Sequence, residues 1–189
     1  DEMNTETGLD QFVDTVATAG VEVFYLHARK AWLKGLSPKE NREVPPLDYK
    51  RARSLAARRH DLSVILNGGL VKIEQIAAES VSFDGVMLGR AAYRTPYLLT
   101  AVSKQIFATP PPSRWQIVKA MADYVDIMAK HQVQTHSITR HMLGLYAGQP
   151  GAKHWRRQLG ENSRHAVDGG TFIRELCNDC EAHAARMAA

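Results

Sequence analysis

Apolar positions along the chain switch between two spacings, and the switches outline its elements. Leu9, Phe12, Val13, Val16 and Ala17 recur at helical spacing and stop at Gly20, which predicts an amphipathic helix. Val23-Phe24-Tyr25-Leu26 is a continuous apolar run and predicts a buried strand over about residues 22–26. A long loop opens at His27 and is closed by Pro45 and Pro46. Ala52, Leu55 and Ala56 then mark the inner stripe of a helix from about Asp48 to Arg59, with Lys50, Arg51, Arg53, Arg58 and Arg59 mostly outside. Leu62-Ser63-Val64-Ile65-Leu66 predicts a second strand that runs straight into Asn67-Gly68-Gly69. Ile73, Ile76 and Ala77 predict a helix over about residues 71–79. A third strand, Gly85-Val86-Met87-Leu88, ends in Gly89-Arg90, and one more helix reaches about Phe107. Helix, strand and loop repeated in this way, with continuous apolar strands, predict parallel β/α units with both sheet faces covered.

Ala108-Thr109-Pro110-Pro111-Pro112 is a stiff linker and marks the expected domain boundary. Ser113 and Gln116 then have the spacing of a capping box. The helix they start carries Ile117, Ala120, Met121, Tyr124 and Met128 on one side. Two or three further helices are expected, with a turn at Gly148-Gln149-Pro150-Gly151 and a last helix from about Thr171. This part reads as a small all-α domain.

Composition narrows the class without naming a function. The 189 residues are 44% hydrophobic and 23% charged, ordinary for a globular protein, with a net charge of +4 that mildly favours an anionic partner. No apolar run reaches membrane-spanning length, and the acidic start, DEMNTETGLD, is neither a signal nor a transit peptide. Position 1 is not Met, so a piece of a longer protein is expected. Two cysteines close in sequence, Cys177 and Cys180, suit a reducing compartment, and the expected location is the cytoplasm.

Candidate chemistry gathers at the predicted strand ends. The stretch His27–Arg42 sets His27, Arg29, Lys30, Lys34, Lys39 and Arg42 around Trp32, Gly35 and Pro38. A strand that ends in such a loop is how α/β proteins build binding sites, although a solvated basic loop has the same composition. Asn67-Gly68-Gly69 offers backbone N–H groups that a phosphate can approach closely. Gly89-Arg90 adds a bare amide and a guanidinium at a predicted helix start. Each motif alone is weak, and a tight turn explains either one. As an ordered pair at successive strand ends they point to a phosphate or nucleotide site.

The second feature is His136–His165, where Arg140, Lys153, Arg156, Arg157 and Arg164 face a single acid, Glu161, with histidines and Trp155 interleaved. A cationic patch beside an aromatic suits a nucleic-acid backbone; a solvated basic helix is the plainer alternative. His136 and His141 lack partners for a metal site, so none is expected. Cys177-Asn178-Asp179-Cys180 has CxxC spacing, but in a predicted helix and without a second pair. It reads as two small residues on one helix face.

Four segments together carry a family resemblance: HARKAWLKGLSPKENREVPPLDY (27–49), NGG (67–69), DGVMLGRAAYRTPYLL (84–99) and ITRHMLGLYAGQPGAKHWRRQLGEN (138–162). They cover about half the residues, and the chain resembles the C-terminal part of a tRNA-dihydrouridine synthase of the A subfamily. The HARKAW and SPKENR pieces are distinctive, whereas NGG and GR recur across flavin barrels. The resemblance implies the last three strands of an FMN-binding (β/α)₈ TIM barrel in residues 1–107, a linker at 108–112, and a helical tRNA-binding domain in 113–189. It also implies reduction of a D-loop uridine to dihydrouridine, with NADPH reducing the flavin.

By matched position, His27, Asn67, Gly68, Gly69, Gly89 and Arg90 would hold FMN. Lys39, Arg42, Lys153 and Arg156 would touch tRNA. The family's catalytic cysteine, its early flavin-contacting segment and a flavin-site lysine have no counterpart here. No catalytic residue is therefore assigned in this chain, which is expected to be a fragment inactive alone. Its expected partners are tRNA and either an N-terminal half or a second copy, with no membrane and no metal. Two other readings stay open: a non-catalytic RNA-binding module derived from that family, and a different FMN barrel acting on a small pyrimidine.

Overall fold

A computed structural model describes residues 7–32 and 34–188; residues 1–6 of the acidic start, Leu33 in the basic loop and Ala189 lie outside the described residues. The chain divides into two compact units, residues 1–89 and 90–189. That division falls ahead of the proline-rich stretch at 108–112.

The first unit runs α1 (Gly8–Thr18), β1 (Val23–His27), α2 (Tyr49–Arg58), β2 (Ser63–Asn67), α3 (Ile73–Ser80) and β3 (Gly85–Met87). Its strands form a parallel three-stranded sheet in the order β1-β2-β3. The register pairs Val23 with Ser63 through His27 with Asn67, and Ile65 with Gly85 through Asn67 with Met87. The predicted β/α succession is therefore present, and the C-terminal ends of all three strands finish side by side.

Burial corrects one expectation. Side chains alternate across a sheet, so Phe24, Leu26, Val64 and Leu66 share one face. That face is covered: Val64 and Leu66 are fully buried, and Phe24 and Leu26 pack against Val13 of α1, Leu55 of α2 and Leu62. Each such buried aliphatic side chain contributes about 1.5–3 kcal/mol. The opposite face is not covered. Val23 and Tyr25 are 50% and 64% exposed, and Met87 is 38% exposed. The apolar run of β1 was expected to be buried, but among the described residues helices lie over only one side of this sheet.

The basic residues of α2 are paired more than their composition suggests. Asp48 caps the helix, its carboxylate accepting from the Arg51 N–H at 2.9 Å. Arg53 reaches Glu79 of α3 at 2.7 Å, and Arg58 reaches Asp14 of α1 at 2.9 Å. Such partly exposed pairs add about 0–1 kcal/mol each and mainly orient the helices.

The second unit holds α4 (Arg90–Arg94), α5 (Leu98–Phe107), α6 (Arg114–Ala129), α7 (Thr135–Thr139), α8 (Ala152–Glu161) and α9 (Gly169–Ala188), with no strand among the described residues. The single helix expected to run from Arg90 to Phe107 is broken in two. Pro96 has no N–H to continue the ladder and disfavours helical backbone at Thr95. The capping box at α6 is present: Ser113 Oγ accepts from the Gln116 N–H at 3.2 Å, and Gln116 Oε1 accepts from the Ser113 N–H at 2.7 Å.

The inner face of α6 needs correction. Val118, Ala122 and Val125 are buried against Ile173, Leu176 and Cys177 of α9, while Ala120 and Tyr124 are exposed. The apolar sector of α6 is wide, and packing on α9 centres it one position further round. Arg174 fastens the same pair of helices, donating to Asp123 at 2.6 Å and Asp126 at 2.8 Å. Gly144 has no room for a side chain, because a Cβ there would collide with the Arg94 carbonyl.

Candidate functional site

The sheet register places the first group of candidate residues. His27 ends β1 beside Asn67, which ends β2, and both lie in the row that includes Met87 on the uncovered face. Asn67 is followed by two glycines with positive φ, +117° at Gly68 and +67° at Gly69. L side chains rarely adopt this conformation, and space forbids one too: a Cβ on Gly68 would lie 2.8 Å from His27 Cδ2. The imidazole therefore rests directly on the turn. Gly68 is buried and Gly69 is exposed, so the backbone surfaces at Gly69.

What holds this turn was not visible as a motif. Tyr49, at the start of α2, donates its hydroxyl to the Gly68 carbonyl at 2.6 Å, and Gln75 of α3 donates to that hydroxyl oxygen at 3.1 Å. Burial, reinforced by Glu79, raises the Tyr49 phenol above its ordinary range, so it keeps the proton it donates. Leu47 packs on Gly69 from the same side.

Gly89 lies two residues beyond the end of β3 and is exposed. Among the described residues nothing within 4 Å would meet a Cβ there, and its φ is outside the left-handed region. Neither conformation nor protein packing demands glycine at this position. Open space beside a bare amide is what a phosphate oxygen would need. Arg90 is exposed and opens α4, which is only five residues long. The guanidinium, rather than a helix dipole, is the feature of interest there.

The basic loop is built, not slack. Arg29 donates to the carbonyls of Pro45 and Glu43, and the Asp48 N–H donates to the Ala28 carbonyl at 2.8 Å. Arg29 and Leu47 form an antiparallel bridge. Within the loop, Glu40 accepts from the Ser37 hydroxyl at 2.6 Å and the Ser37 N–H at 2.8 Å, which lowers its carboxyl below the usual range. This closes a 3₁₀ turn over Glu40–Arg42, with Lys39 and Arg42 exposed on either side of Glu40-Asn41.

The second unit carries the other cationic group. Lys153, Arg156 and Arg157 are exposed on α8, and Trp155 and Leu159 point into the core. Here the sequence reading of Trp155 as an aromatic beside the patch is overturned. Trp155 is fully buried, its Nε1 donating to the Met142 carbonyl at 2.9 Å and its ring packed on Tyr146 at 4.8 Å. On a helix whose cations flank it on both sides, Trp155 is the residue that packs the core.

Cys177 and Cys180 are both buried thiols of α9. Burial pushes Cys180 up to about 11 and raises Cys177, which also sits 3.1 Å from the Tyr146 hydroxyl. This is the environment of inert packing residues. Among the described residues no group of His, Cys, Asp and Glu could hold a metal ion, and no helix is long and apolar enough to cross a membrane.

A family profile described as dihydrouridine synthase matches residues 2–186. The chain belongs to the dihydrouridine synthase family. Curated relatives named tRNA-dihydrouridine(20/20a) synthase include one from Vibrio cholerae, 45% identical over 178 residues, which are 93% of this chain and 54% of that relative. One from Shewanella oneidensis is 44% identical over 178 residues, 93% of this chain and 53% of the relative. Another from Escherichia coli K12 is 44% identical over 169 residues, 88% of this chain and 49% of the relative. The chain thus spans about half the length of the curated relatives it matches. These relatives bear out the resemblance to the A subfamily.

Proposed function

We propose that this chain supplies the phosphate end of a flavin site and the RNA-binding surfaces of a tRNA-dihydrouridine synthase. On this reading residues 1–107 are the last three β/α units of a TIM barrel, 108–112 a linker, and 113–189 a helical tRNA-binding domain. The observation that carries it is the turn at Gly68-Gly69. Two successive left-handed glycines end a parallel strand, seated under His27 and open at Gly69. That is a backbone cradle for a phosphate at the carboxyl end of a sheet.

The uncovered sheet face, with Val23, Tyr25 and Met87 exposed, supports the barrel reading. It would be the inner wall once further strands close the ring. The residues present fit FMN at its phosphate end. Gly68, Gly69 and Gly89 would offer backbone N–H groups, Arg90 a bidentate cation, and His27 and Asn67 the adjoining wall. When bound and reduced by NADPH, FMN would supply the hydride for reducing a uracil ring, and the accompanying proton would come from a group outside this chain. The residues of this chain bind and orient, and none is assigned as the proton donor. The chain alone is therefore expected not to turn over. Its substrate would be a D-loop uridine of tRNA at the positions in the relatives' names, in the cytoplasm.

Lys39 and Arg42 of the loop, with Lys153 and Arg156 of α8, are the proposed tRNA contacts. Each cation that neutralises a phosphate adds about one unit to the slope of log affinity against log salt. Lys153→Ala should weaken tRNA binding by this chain and lower that slope by about one. Unchanged affinity and slope in a folded variant would remove α8 from the interface.

A further inference from the structure

Trp32 stands in the basic loop, 39% exposed, and neither the phosphate cradle nor the cationic contacts use it. Its backbone is held on both sides by one side chain. The Trp32 N–H donates to Asn41 Oδ1 at 2.7 Å, and Asn41 Nδ2 donates to the Trp32 carbonyl at 2.8 Å. Asn41 belongs to the 3₁₀ turn that Ser37 and Glu40 close. The loop therefore fixes the backbone that carries an indole left more than a third exposed. A packing residue would be covered, and a merely tolerated one would not need a bidentate clamp on its backbone.

The surroundings define what the indole would meet. The same loop carries Lys30, Lys34, Lys39 and Arg42. Of its acids, Glu40 is taken up by Ser37, leaving Glu43 beside the Arg29 contact. A partly exposed aromatic face on a clamped backbone, among cations, is complementary to an unstacked nucleobase whose phosphates sit on the neighbouring charges. A lipid or an apolar peptide would call for further apolar groups at the positions the cations occupy.

We propose that Trp32 is a stacking platform for one unpaired base of the tRNA, held in place by Asn41. This rests on the reading of the loop as an RNA-contacting segment, and adds a contact that acts through base stacking rather than charge. Stacking and ion pairing differ in their salt dependence, which separates the two claims.

The test titrates unfractionated tRNA into the 189-residue chain and its variants across a salt series. Trp32→Ala should weaken binding by about 5- to 150-fold with the salt slope unchanged, and Trp32→Phe should recover most of the loss. In a Trp115→Phe background the buried Trp155 is shielded, so quenching of the remaining exposed indole on tRNA addition reports Trp32 directly. Wild-type affinity in Trp32→Ala, or unquenched Trp32 emission in a chain that binds tRNA, overturns the stacking role alone. A wild-type chain with no salt-dependent tRNA binding overturns the underlying reading as well.

Discussion

Tyr49 donates its hydroxyl to the carbonyl of Gly68 across 2.6 Å, joining the start of α2 to the turn that ends β2. The bond is made by a phenol that burial keeps protonated, and Gln75 supports it from α3. Tyr49→Phe leaves the Gly68 carbonyl without this donor and should cost about 1–3 kcal/mol in urea unfolding. It should also lower affinity for FMN more than for riboflavin, which lacks the phosphate. An equal loss for both flavins would mean that Tyr49 stabilises the unit without shaping the cradle.

The glycines of the site should separate into two kinds. Gly68→Ala must place a methyl group against His27 at a φ of +117°, so it should destabilise the chain by more than about 1 kcal/mol. Gly89→Ala meets open space at an ordinary φ, and its stability should stay within about 0.5 kcal/mol of wild type. If Gly89 faces a phosphate, the same methyl should nonetheless weaken FMN binding. Thermal unfolding together with flavin titration distinguishes the two, and intact FMN affinity in Gly89→Ala would exclude Gly89 from the site.

Arg90 and Lys153 should show opposite losses in a protein that carries this chain and turns over. Arg90→Ala should weaken FMN and leave tRNA affinity and its salt slope intact, whereas Lys153→Ala should do the reverse. Parallel losses in both variants would point to general destabilisation.

The two thiols should titrate as packing groups. Cys180 is raised from 9.0 to about 11, so above pH 9 the unfolded chain releases a proton that the folded chain keeps. Its contribution is present below pH 9 and is lost as pH rises towards 11. Stability should fall over that window, and less steeply in Cys180→Ala. At pH 8 native Cys180 should alkylate at least about 100-fold more slowly than an exposed thiol. Fast labelling of the folded chain would contradict its placement in the α9 core.

Much of this architecture was legible in the spacing of apolar residues. Element order, the parallel β/α succession, the capping box at Ser113 and the helical character of the Cys177–Cys180 segment all follow from local pattern. What escaped was tertiary. A continuous apolar run such as Val23–Leu26 does not say which face a helix will cover, and here only the Phe24 and Leu26 side is packed. Trp155 read as an aromatic among cations, but helical periodicity with Leu159 turns it into the core. The candidate cradle was visible as Gly68-Gly69. Its supports Tyr49 and Gln75 were not, because each carries a contact to a distant segment and no motif. The Asn41 clamp on Trp32 was hidden for the same reason.

On the proposed reading, the ends of β2 and β3 hold the phosphate of FMN. Amide spectra of the isotopically labelled chain, titrated in parallel with FMN and riboflavin, test it most directly. The amides of Gly68, Gly69 and Gly89 should shift with FMN in a way that riboflavin does not reproduce. Identical shifts with both flavins, or none at these three amides while other residues respond, would contradict it.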